Sequence, residues 1–99
     1  MSDISRRKKR NKDIRALCVI LHDKYYIDKR KIARAMKLSP AYYYDFVAET
    51  RDLLYPNLLK IENFIFDLYE PILEVEMELN GVKLDPLESE MDDQTTLDL

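Results

Sequence analysis

The stretch Leu38-Ser39-Pro40 constrains this chain more tightly than any other three residues. Serine is a strong N-cap, because its hydroxyl accepts an amide hydrogen that a starting helix leaves unbonded. Proline directly behind it takes the first helical position, where its missing amide hydrogen costs nothing and its fixed φ is already helical. A helix is therefore expected to begin there, and the chain before Leu38 has to turn sharply to reach it. Upstream, Asp28 offers a second N-cap, opening a helix to about Lys37 that buries Ile32, Ala33 and Met36. Downstream, Tyr43, Phe46, Val47 and Leu54 are the expected inward residues of the helix that Ser39 starts.

The rest of the chain sorts around this pair. Residues 1–12 are polar, with Arg6, Arg7, Lys8, Lys9 and Arg10 in succession and no apolar periodicity, which reads as a basic flexible arm. From Asp13, the residues Ile14, Leu17, Cys18 and Leu21 fall at i, i+3, i+4 and i+7, one face of a helix. Tyr25 and Tyr26, in the connector to Asp28, are expected to cap the core. Pro56 starts a fourth helix, with Leu58, Ile61, Ile65 and Leu68 at helical spacing. Beyond Pro71, Leu73, Val75, Met77 and Leu79 alternate with Glu74, Glu76 and Glu78, and Asn80-Gly81 leads into Val82-Lys83-Leu84. Asn-Gly between alternating segments predicts a β-hairpin, because both residues tolerate the positive φ of a type I′ turn. The rival is a helix from Pro71 to Gly81, which would scatter the same apolar residues over two faces. Residues 85–99 hold six carboxylates and no basic residue, the composition of a disordered acidic tail.

The inward set Ile32, Ala33, Met36, Leu38, Tyr43 and Phe46 is what two steeply crossing helices joined by a tight turn require. Ala33 matters most, since a larger side chain would hold the helices apart. The segment Lys31-Ile32-Ala33-Arg34-Ala35-Met36-Lys37-Leu38-Ser39-Pro40-Ala41-Tyr42 resembles the lambda-repressor-like helix-turn-helix family, the Cro and phage-repressor type. Helices on either side extend the likeness over roughly residues 13–69. Lys37 stands where that family often carries glycine in the turn. The resemblance implies that the start of the third helix faces the major groove of double-stranded DNA, presenting Ser39, Ala41, Tyr42, Tyr44 and Asp45, with Ala48 and Glu49 further along. Tyrosine hydroxyls reach phosphates or base edges, and Ala41 can touch a thymine methyl. Lys29, Arg30, Lys31, Arg34 and Lys37 would line the DNA backbone, and the arm Arg6–Arg10 would contact phosphates or the minor groove. Exposed aromatics such as Tyr42 and Tyr44 fit a protein contact as well.

Net charge is −3, but its distribution is uneven. Residues 1–40 carry 13 Lys/Arg and 4 Asp/Glu, a net of +9, while residues 41–99 carry 3 and 15, a net of −12. A polyanion-binding end and an acidic end are implied. The one cysteine, Cys18, admits neither an intrachain disulfide nor a cysteine-built zinc cluster, and suits a cytoplasmic setting. The one glycine, Gly81, admits no phosphate-cradling loop. His22, alone at a helix end, is expected to be solvated, and no serine or cysteine has an evident partner base. The apolar run Ala16–Leu21 is too short to cross a membrane and lacks the surroundings of a secretory signal.

The expectation is thus a mainly α, four-helix helix-turn-helix domain over residues 13–84 with a C-terminal β-hairpin. It would be a DNA-binding transcriptional regulator of phage or mobile-element type, without enzymatic activity, cofactor or metal. The hairpin's apolar face would pack on the fourth helix or pair with a second subunit, as a homodimer. The rival function is an adaptor that holds RNA polymerase or a sliding clamp through the acidic half. The segment Gln94–Leu99 resembles the short clamp-binding peptides of replication proteins. RNA binding is a third, weaker alternative.

Overall fold

The computed structural model describes residues 3–84, over which the chain forms four helices and no strand: α1 (Asp3–Asp23), α2 (Lys29–Ala35), α3 (Pro40–Val47) and α4 (Tyr55–Asn80). The long helices α1 and α4 pack on each other, α3 lies against α1, and α2 packs on α3. The predicted faces meet in the core: Ile14, Leu17, Cys18 and Leu21 from α1, Ile32, Ala33 and Met36 from α2 and the turn after it, Tyr43 and Phe46 from α3, and Leu58, Ile61 and Ile65 from α4. No helix among the described residues is long and apolar enough to cross a membrane.

The basic arm is not an arm. Residues 3–12 are the first half of α1, and polar contacts rather than apolar ones hold them. Arg10 is buried, and its guanidinium makes a two-pronged contact with Glu62 of α4, Nε–Oε1 3.0 Å and Nη2–Oε2 3.1 Å. Asn11 is fully buried, and its side chain serves both main-chain groups of Leu53: Nδ2 donates to Leu53 O at 3.0 Å, and Oδ1 accepts from Leu53 N at 2.7 Å. Lys9 pairs with Asp13 one turn on, at 2.7 Å. Hydrophobic periodicity is blind to anchors of this kind.

The hairpin is absent too: α4 continues to Asn80, so residues 72–80 are helix. Gly81, at φ 67°, ends the helix in a left-handed conformation, with Gly81 N–H donating to Glu78 O and Val82 N–H to Met77 O at 2.9 Å. This is the Schellman arrangement, and a left-handed glycine serves it as readily as a type I′ turn. Pro71 sits behind a bend at Tyr69 (φ −126°, ψ 22°), where the missing amide hydrogen and the ring disturb the helical ladder. Leu73 then faces the core, and Glu76 is buried beside it rather than solvated. Its Oε2 accepts from Lys24 Nζ and from the Tyr25 hydroxyl, both at 2.6 Å. The bond from Lys24, then that from Tyr25, holds the Glu76 carboxyl below its ordinary range.

Three smaller expectations change. Leu54 is exposed and Leu53 is core, because α3 stops at Val47 and Glu49, at φ 70°, turns the chain out of helical phase. Leu68 is exposed, lying just before the bend at Tyr69. Tyr26 is 86% exposed at φ 62°, while Tyr25 alone of the pair folds inward.

Candidate nucleic-acid interface

Both caps form. The Asp28 carboxylate accepts from Arg30 N–H at 2.8 Å, and the Ser39 hydroxyl accepts from Tyr42 N–H at 3.4 Å with Pro40 inside the first turn. Between the two helices Lys37 stands at φ 59°, the left-handed backbone for which the resembling family often uses glycine. Lys37 N–H donates to Arg34 O at 3.0 Å and Leu38 N–H to Ala33 O at 2.9 Å, a Schellman closure of α2 that turns the chain into the Ser39 cap. Ala33 is fully buried, in the same core cluster as Tyr43 and Phe46 of α3.

Of the residues expected on the recognition surface, Ser39, Ala41 and Tyr44 are exposed, Tyr44 to 38%. Tyr42 is half-buried: the Arg51 guanidinium lies 4.7 Å above its ring centre, and Asn57 Nδ2 donates to its hydroxyl at 3.4 Å. Asp45 is also half-buried and faces Arg51 at 3.6 Å, so its charge is partly compensated. Arg51 was missed in the sequence because it lies off both helices, in the connector after α3, where no periodicity marks it. Arg15 is another: buried in the middle of α1, it donates to the main-chain oxygens of Phe46 and Arg51 and to Asp52 Oδ1, at 2.8 Å for the last. A cation against the carbonyl end of α3 is favourable both as hydrogen-bond donor and as charge.

The basic residues divide into two groups. Lys29, Arg30, Lys31, Arg34 and Lys37 are all exposed, and none forms an ion pair among the described residues. The Arg6–Arg10 run is dispersed around a helix: Arg6 and Lys8 are exposed, Arg7 is half-buried, Lys9 is exposed and paired, and Arg10 is locked inside. It therefore does not reach a groove as one flexible arm, and Arg10 is structural.

His22 is buried, not solvated. Its Nδ1–H donates to Ile27 O at 2.7 Å, leaving Nε2 to accept from the Tyr43 hydroxyl at 2.7 Å. Tyr43 in turn contacts Cys18, whose thiol burial pushes up to about 12. Burial lowers the histidine's pKa, ahead of the smaller effect of Lys29. The neutral ring is thus a strut that fixes the α1–α2 connector against α3. Among the described residues no cluster of His, Cys, Asp and Glu could hold a metal ion. The Gln94–Leu99 segment and the acidic tail lie outside the described residues.

Compared with known protein families, curated proteins and solved structures, the chain matches none.

Proposed function

We propose that this chain binds double-stranded DNA through α2 and α3, as a transcriptional regulator of phage or mobile-element type. The observation that carries the reading is an accessible α3 start beside positive charge on α2 and the turn after it that has no ion-pair partner among the described residues. Ser39, Ala41 and Tyr44 are accessible at the head of α3, while Lys29, Arg30, Lys31, Arg34 and Lys37 hold no ion pair among the described residues. Cations without carboxylate partners are free to displace counterions from phosphates, and a helix start of small and aromatic side chains fits the major groove. Arg51 reduces the repulsion that Asp45 would otherwise present to a phosphate.

The test is fluorescence anisotropy on duplex DNA, first of random sequence and then of sites selected from it, across a salt series. Binding should weaken steeply with salt, and Lys29→Ala or Arg34→Ala should each lower the slope by about one. Tyr44→Ala should weaken the selected site by about 1–3 kcal/mol if its contact is to a base, and leave random duplex nearly unchanged. Preference for a structured RNA over duplex DNA, or no binding at about 50 mM salt, would sink the proposal.

A further inference from the structure

Between one side of α1, the end of α3 and the residues after α4 lies an open groove of about 880 Å³. Ala16, Val19 and Ile20 of α1, Val47 of α3 and Val82 give it an apolar lining, and all five are half-buried. Four cations also line it, Lys9, Lys12, Arg15 and Lys83, against the carboxylates of Asp13 and Glu49. Asp13 is taken by Lys9 at 2.7 Å, and Arg15 is held by Asp52 at 2.8 Å. Lys12 and Lys83 are exposed and form no ion pair among the described residues, so the groove keeps more positive than negative charge unanswered. From this apolar lining edged by unpaired lysines we propose that the groove receives the chain's own residues 85–93.

Composition, attachment and charge select that occupant. The segment Asp85-Pro86-Leu87-Glu88-Ser89-Glu90-Met91-Asp92-Asp93 holds five carboxylates, no cation and two large apolar side chains, Leu87 and Met91. It lies outside the described residues, but it starts at the groove. Lys83 lines the groove, its main-chain oxygen accepts from Lys9 Nζ at 3.3 Å, and Leu84 packs against the core. Leu87 follows Leu84 by three residues, at most about 11 Å of extended chain. A tether this short holds the segment at about millimolar effective concentration, so weak docking in cis suffices. The other cationic surface, residues 29–37, suits the segment less well. Ile32 and Met36 point into the core there, which leaves no exposed apolar side chain larger than Ala35 for Leu87 and Met91 to cover. Exposed lysine–carboxylate pairs contribute little by themselves, so docking depends on the two apolar side chains as well as on charge.

Paramagnetic broadening on the full chain tests the proposal. A nitroxide placed on Gln94→Cys leaves Cys18 unlabelled, since that thiol is fully buried. In the ¹⁵N spectrum, Lys12, Ala16, Val19 and Val47 should lose amide intensity, while Lys31 and Arg34 should keep theirs. The loss should vanish in Lys12→Glu/Lys83→Glu, whose positions are exposed and touch no core residue, and separately in Leu87→Ser/Met91→Ser. Absence of broadening along α1, stronger broadening on α2, or broadening that survives either pair of substitutions would overturn the proposal. So would equal broadening of an unlabelled ¹⁵N chain mixed with the spin-labelled one, since the segment would then be docking on another molecule.

Discussion

Asn11 gives the sharpest test of the docked first half of α1. Its fully buried side chain makes three hydrogen bonds: Nδ2 to Arg7 O at 2.9 Å and to Leu53 O at 3.0 Å, and Oδ1 from Leu53 N at 2.7 Å. The Asn11→Ala variant leaves the N–H and C=O of buried Leu53 without these partners. An orphaned buried polar group costs about 1–3 kcal/mol, so the two together should cost about 2–6 kcal/mol if little water enters the space left. For a domain of this size 1 kcal/mol shifts the midpoint by roughly 4–8 °C, which makes the expected drop at least about 8 °C. Lys12, the next residue, is exposed, and Lys12→Ala should change stability by no more than about 0.5 kcal/mol. Thermal unfolding followed by circular dichroism on both variants reads the difference. Were the two to melt within about 1 °C of each other, the Asn11 clamp would not exist in solution and residues 3–12 would be the arm that their composition suggests.

The chain's single histidine gives a pH signature. Burial lowers the His22 pKa from the ordinary 6.5, so below that pH the unfolded chain binds a proton that the folded chain resists. Stability from this group is complete above pH 6.5 and lost as pH falls through the lowered value; urea unfolding should therefore show a decline from pH 7.5 to 5.5 that His22→Gln reduces, and an identical decline in both proteins would refute the assignment. Ala33→Leu should lose about 1–3 kcal/mol by overpacking the α2–α3 contact, and an unchanged urea midpoint would mean that the helices do not meet there. Lys37→Gly should gain about 0.5–1 kcal/mol, since a left-handed non-glycine residue costs about 1–2 kcal/mol and glycine's own entropy returns part of that. A loss of stability in Lys37→Gly would show that the turn is not left-handed.

The sequence by itself determined where α2, α3 and α4 start and most of the side chains that make the core. Asp28, Ser39-Pro40 and Pro56 act within a turn of their own position, and local signals of that kind survive any tertiary arrangement. The apolar spacing that put Ile14, Leu17, Ile32, Ala33, Tyr43, Phe46 and Ile61 inside depends on one helix period at a time, and those residues are buried as expected. On the candidate interface, exposure of Ser39, Ala41, Tyr44, Lys29 and Arg34 was legible in the same way. Only the tertiary structure decided the fate of the polar residues. Arg10, Asn11, Arg15, His22 and Glu76 look soluble one at a time, and each is buried because a partner 5 to 52 positions away completes its hydrogen bonds or ion pair. The same is true of Gly81. Its freedom to take positive φ is a local property, but whether that freedom closes a hairpin or a helix depends on what residues 72–80 pack against. With Leu73 taken into the core and Glu76 held by Lys24 and Tyr25, the helix outcompetes the strand, and the second apolar face is left outside.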